Sequence, residues 1–227
     1  MGLAPYGRPS FLDTMRKIVR LVPDGGFELN LEFFRHHQED IPYQWMNGSP
    51  EFGDLFSPAL EHLLGPRRAP SDRLEDRHHD IARSAQAMYE EAFFHLLGNL
   101  QRRSGLTDLA LAGGCAMNSV ANGKVRRNTP FRRVYVQSAA GDAGGAIGSA
   151  FAVWHKLGGK RNFVMDHAYW GPAFNATEIR RVLDAHGFDI AAANCTVEDI
   201  GDEAALCRRT AEAIAKGQVV GWFQGRM

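Results

Sequence analysis

Two runs of this chain carry residue types and spacings that could grip an anion. Gly113-Gly114-Cys115-Ala116-Met117-Asn118 follows the apolar stretch Leu109-Ala110-Leu111-Ala112, and Gln137-Ser138-Ala139-Ala140-Gly141-Asp142-Ala143-Gly144-Gly145 follows Val134-Tyr135-Val136. Glycines leaving a strand let backbone N–H groups approach an oxyanion closely, and a helix that follows adds its positive end. The pattern suggests phosphate-site chemistry at Gly113, Gly114, Gly141 and Gly144. Asp142, at the carboxyl end of the second strand, is expected to face the same crevice, where open α/β sheets bind ligands. A carboxylate beside phosphates suggests a divalent metal, with Asp142 as a ligand. The same residues admit plainer roles: a strand-to-helix turn for the glycines, a helix N-cap for Asp142 and a local hydrogen bond for Asn118.

These residues need strands and helices to position them. Strand, helix, strand implies two parallel strands joined by a crossover, and so an α/β fold class. The helix between the strands is expected from Cys115 to about Arg127. Before them, Leu74 to about Arg103 has the strongest helical period, with Ile81, Ala85, Met88, Ala92, Leu96 and Leu100 on one apolar stripe. His78-His79-Asp80 lies in its opening turns, where a solvated face or capping role is expected. A shorter helix is predicted from Phe11 to Leu21, a strand through Phe27, Leu29 and Leu31, and a short helix around Glu51 to Leu64. Met1 to Pro9 reads as a loop.

After the boundary-like Leu157-Gly158-Gly159, Asn175-Ala176-Thr177-Glu178 starts a helix, Phe188 to Ala192 reads as a strand, Asp202 to Lys216 as a helix, and Val219 to Phe223 as a buried-type strand. His36-His37 is read as a solvated segment, because adjacent histidines in a strand point to opposite faces. Cys115 could be a nucleophile at a helix start, but no histidine stands nearby in sequence, and a small apolar filler is the favoured role. No residue is assigned as catalytic.

Composition narrows the function classes. With 26 Lys and Arg against 26 Asp and Glu, the formal charge is zero, which offers no global attraction to nucleic acid. Three cysteines, Cys115, Cys195 and Cys207, have no metal or redox spacing, as suits a reducing cytoplasm. No apolar run reaches membrane-spanning length, so no membrane partner is expected.

The two glycine-bearing runs resemble signatures of the nodulation-type and antibiotic O-carbamoyltransferases. Three further segments are similar to that family in the same order: Met1 to Gly7, Asp80-Ile81-Ala82-Arg83-Ser84-Ala85-Gln86-Ala87, and Gly221-Trp222-Phe223-Gln224-Gly225-Arg226-Met227. The resemblance implies the second half of an actin-like (ribonuclease-H-like) ATPase domain over residues 1–165. An incomplete α+β segment, the beginning of a carbamoyl-adenylate-synthase-like domain, would follow over 166–227. It further implies ATP or carbamoyl-adenylate at Gly113, Gly114 and Asn118, and a metal, iron in this family, at Asp142. Carbamoyl phosphate, ATP and a hydroxyl-bearing small-molecule acceptor would be the partners. The paired histidines of the family's metal site have no counterpart here, which implies a fragment inactive by itself. Two other readings are a threonylcarbamoyl-transferase or sugar-kinase relative, and a non-catalytic nucleotide-binding module that self-associates as a homodimer through exposed apolar faces.

Overall fold

Glu75 begins the longest element. The His78 ring accepts its N–H at 2.9 Å, and its carbonyl accepts the His78 N–H at 2.9 Å, at the start of the helix Asp76–Ser104. Gly105, in the left-handed region at φ 68°, ends it. In this computed structural model, which describes residues 2–227, that helix (α3) is the scaffold for everything packed around it. The chain divides into two units, Met1–Leu157 and Gly158–Met227.

In the first unit, α1 (Leu12–Ile18) leads into β1 (Val19–Leu21), which pairs antiparallel with β2 (Phe27–Leu29). The helix expected to reach Leu21 therefore stops at Ile18, because Val19 to Leu21 find ladder partners in β2. Leu31 belongs to a short 3-10 turn, not the strand. Residues 43–52 form the hairpin β3 (Tyr43–Met46) and β4 (Ser49–Phe52), and the helix expected around Glu51 begins only at Pro58 (α2, Pro58–Leu64). Met15, Ile18, Phe33 and Met88 form one core cluster beneath α1 and α3.

A second cluster seats the strands. β5 (Asp108–Leu111) and β6 (Arg133–Val136) pair in parallel, Leu109 opposite Val134 and Leu111 opposite Val136, as the sequence predicts. Leu97, Leu109, Val125 and Phe131 close over them, with Phe93 and Phe94. The apolar stripe of α3 thus runs through Met88 and Ala92 but not through Leu96 and Leu100, which are exposed; Leu97 and the two phenylalanines turn inward instead. A straight helix drifts relative to a simple i, i+4 row over this length.

The crossover is not one helix. A 3-10 turn (Gly114–Met117) is followed by two single turns of helix, α4 (Ser119–Asn122) and α5 (Val125–Asn128). After β6 comes α6 (Gly144–Lys156), none of whose residues is buried.

The second unit holds α7 (Ala176–Ala185), α8 (Gly187–Ala192) and α9 (Glu203–Ala215). Two sequence expectations fail here. Residues 188–192 are helical, and Val219 to Phe223 are in no strand. A strand needs a neighbour to take up its N–H and C=O groups, and the described residues offer neither segment one.

Candidate functional site

The first glycine run leaves β5 through Gly113, whose φ of 95° would strain any side chain. Its N–H donates to the Ala140 carbonyl at 2.7 Å, and Gln137 N–H donates to Leu111 at 3.2 Å, so the two turns are tied to each other. Gly113 is thereby occupied in holding the turn. Among the described residues, nothing accepts the N–H groups of Gly114 and Cys115.

Asn118 fixes the far end of the turn. Its Oδ1 accepts the Ala121 N–H at 3.1 Å, which caps α4, and its Nδ2 donates to Gln86 Oε1 at 3.0 Å. Gln86, 2% exposed, donates back to Asn118 at 3.3 Å and to Glu90 Oε1 at 3.0 Å. Both carboxylate oxygens of Glu90 in turn accept from Lys124 Nζ at 2.7 Å. Burial pushes the Glu90 carboxyl up, and the bonds from Lys124 and Gln86 outweigh it and hold it below the usual carboxylate range. Asn122 Nδ2 steadies the turn through the Ala116 carbonyl at 2.7 Å, while its buried Oδ1 has no partner among the described residues. Tyr89 donates its hydroxyl to the Cys115 carbonyl at 3.0 Å.

Beside these groups lies a cavity of about 850 Å³. Gly114, Cys115 and Met117 to Val120 form one wall, Arg83, Gln86 and Tyr89 of α3 a second, Lys124 a corner, and Gly2, Ala4 and Pro5 of the N-terminal loop a third. Arg83 has no hydrogen-bond or ion-pair partner among the described residues, whereas Lys124 is neutralised by Glu90. The volume falls within the range of small-molecule pockets, and the lining mixes apolar surface with a few fixed polar groups.

Of the residues singled out in the sequence, Gly114 and Asn118 line this cavity. Gly141 lies against it, since a Cβ there would stand 3.0 Å from Met117 Sδ. Gly144 packs on the preceding turn, where a Cβ would meet the Ala139 carbonyl oxygen at 2.2 Å. Asp142 is exposed and outside the cavity lining. No three His, Cys, Asp or Glu side chains gather anywhere among the described residues, so one exposed carboxylate does not by itself fit a tightly held iron. Cys115 is a free, exposed thiol.

Sequence reasoning missed α3 as a wall of the site, because its period was assigned to packing. The signal was present: Asp80, Arg83, Gln86 and Glu90 recur at intervals of three or four, a polar stripe beside the apolar one.

Comparison with known proteins bears on this arrangement. Residues 1–151 match the family model for the carbamoyltransferase N-terminus. The chain is 37% identical over its whole length to the uncharacterized protein sll1178 of Synechocystis, covering 35% of it. It is 32% identical, again over its whole length, to nodulation protein NolNO of Sinorhizobium fredii and to nodulation protein NolO of Bradyrhizobium diazoefficiens, covering 29% and 36% of them. The chain therefore spans about a third of the length of these relatives.

Proposed function

This chain belongs to the carbamoyltransferase family, and on that premise we propose that it supplies the nucleotide-holding part of an ATP-dependent O-carbamoyltransferase. In the whole protein the carbamoyl group of carbamoyl phosphate passes through carbamoyl-adenylate to the hydroxyl of a small-molecule acceptor. The ligand assigned to the cavity is ATP or carbamoyl-adenylate. One observation carries the reading. A glycine turn with two free backbone N–H groups faces, across one cavity, a helix surface bearing an unpaired arginine.

In this reading the N–H groups of Gly114 and Cys115 and the guanidinium of Arg83 receive phosphate oxygens, and Met117, Val120, Pro5 and the Tyr89 ring receive the base and ribose. The Gln86–Asn118 bonds hold the donors in place before the ligand arrives, so little ordering is needed on binding. Glu90 pairs with Lys124 and also feels the Arg83 charge, and the Arg83 guanidinium, without a hydrogen-bond partner among the described residues, answers the phosphate charge. Asp142 would contribute a single ligand to a divalent metal, its other donors coming from outside these residues. Residues 1–227 alone are accordingly expected to hold nucleotide without turning over. An ATP-dependent reaction and three free cysteines accord with the cytoplasm.

Titration calorimetry with ATP and no divalent cation tests the reading. Arg83→Gln should weaken ATP about tenfold, the ~1.4 kcal/mol of one charge-assisted contact, and leave adenosine unchanged. Failure of the native chain to bind ATP, or equal loss for ATP and adenosine, would overturn it.

A second reading is favoured by α6. Val153 and Trp154 are each 57% exposed on this apolar helix, and β5 and β6 form a sheet of only two strands. Such surface suits association with a second copy. Sedimentation analysis showing a dimer that Trp154→Lys dissociates would support it; a monomer would not.

A further inference from the structure

One carboxylate makes two of the bonds that hold the N-terminal loop in the cavity wall. Asp80 accepts the Arg8 N–H at 2.7 Å on Oδ1 and the Ser10 hydroxyl at 2.8 Å on Oδ2. One turn along α3, the fully buried Ser84 accepts the Phe11 N–H at 2.9 Å and donates to the Asp80 carbonyl at 2.7 Å. Gly7 lies so close that a Cβ would sit 2.1 Å from the His79 carbonyl oxygen. Ala4 is 5% exposed, and the Tyr6 ring rests 5.9 Å from that of His79. Residues 4–11 are thus fastened to the first turns of α3, at the end of the helix that carries Arg83.

The fastening has a consequence for the cavity. Pro5 and Ala4 form a wall of it, while the loop contains only a three-residue 3-10 turn (Ala4–Tyr6) and no strand that could fix it by itself. Two glycines and two prolines between Gly2 and Pro9 give it no helix or ladder of its own. Its position comes from what it is tied to. The tie lies one helical turn from the cavity lining, since Asp80 and Arg83 are three residues apart on α3.

We propose that Asp80 is a positioning residue of the ligand site: it pins the N-terminal loop to α3 so that Ala4 and Pro5 stand as a preformed wall against the bound nucleotide. The assignment rests on the cavity's being a nucleotide site, and adds the residue that shapes it. Asp80 itself lies outside the lining. Losing its two acceptor bonds loosens the loop at Arg8 and Ser10, and a loosened segment must be ordered again at each binding event. The Arg8 N–H and the Ser10 hydroxyl also hold the Asp80 carboxyl below the usual carboxylate range, in keeping with an ionised acceptor.

Asp80→Ala, Asp80→Asn and Ser10→Ala, each in the full 227-residue chain, separate the possibilities. Two quantities are read: amide hydrogen exchange along residues 3–11, and the affinity for ATP measured without metal. Asp80→Ala should speed exchange at Arg8 at least about tenfold, leave the amides of residues 88–100 unchanged and weaken ATP about tenfold. Asp80→Asn keeps an oxygen for the Arg8 N–H and should recover most of the affinity, which a merely structural loss of α3 would not. Ser10→Ala, which removes only one of the two bonds, should fall between native and Asp80→Ala and guards against a variant that fails to fold. Faster exchange with unchanged ATP affinity would overturn the proposal while leaving the nucleotide site intact. Unchanged exchange would overturn the pinning itself. A native chain that binds no ATP would remove the nucleotide reading and this one with it.

Discussion

Residues 4–140 and residues 158–227 are both well supplied with helix signals, yet only the first stretch has an interior. Among the described residues, every buried hydrophobic side chain lies between Ala4 and Ala140, and none after Gly158 is buried. The second stretch is not poor in local instruction. Asn175 and Glu178 form a complete capping box, and Asp202 accepts the N–H groups of Ala204 and Ala205. What it lacks is a partner surface: Ile179, Val182 and Phe188 are half or more exposed. Caps and periodicity fix helices; only packing makes a site rigid enough to preorganise donors.

The difference can be broken most forcefully in the core. Phe131→Ala, at 2% exposure beside Leu97 and Val125, should cost about 3–5 kcal/mol in urea unfolding, the usual loss for a buried aromatic. Phe188→Ala, at 85% exposure, should stay within about 0.5 kcal/mol. Equal costs would erase the distinction between the two regions.

Glycine placement gives the next largest effect. Gly144→Ala forces a Cβ onto the Ala139 carbonyl and should cost about 1–3 kcal/mol, whereas Gly145→Ala meets nothing within 4 Å and should be neutral or slightly stabilising. Thermal unfolding of the two variants distinguishes a tight turn from a merely glycine-rich one.

The Glu90–Lys124 pair sharpens the comparison through pH. The folded Glu90 carboxyl titrates below its unfolded value, so the pair's contribution is present above the unfolded pKa and is lost as pH falls through the folded one. The urea midpoint of the native chain should therefore decline on acidification below the ordinary glutamate range, and Glu90→Gln should decline less. Smallest of all, Asn175→Ala should cost about 1 kcal/mol of local helix stability, visible as faster amide exchange in α7 but not in α3.

Much of this was legible beforehand. The helix after Leu74 announces itself with an apolar period through Ile81, Ala85, Met88 and Ala92, and Leu109 and Val134 lie in apolar runs that read as strands. Gly114 and Asn118 were legible as cavity residues because turn chemistry is local. Leu96 against Leu97 was not, since a helix of this length lets a neighbouring row take the core face. Residues 188–192 and 219–223 read as strands because β-type residues cluster there, and ladders depend on neighbours that a local pattern does not contain. Arg83 was given no role and Asp80 only a solvated or capping one for a related reason: which polar row of α3 faces a ligand depends on a loop 72 residues away in sequence.

The account's central claim is that the Gly114–Asn118 turn and the polar row of α3 form one nucleotide site. An amide chemical-shift titration of the labelled chain with ATP tests it most directly. The claim predicts saturable shifts at Gly114, Cys115, Asn118 and Arg83, with none in residues 158–227. No shift at those four residues, or shifts centred on the second unit, would contradict it.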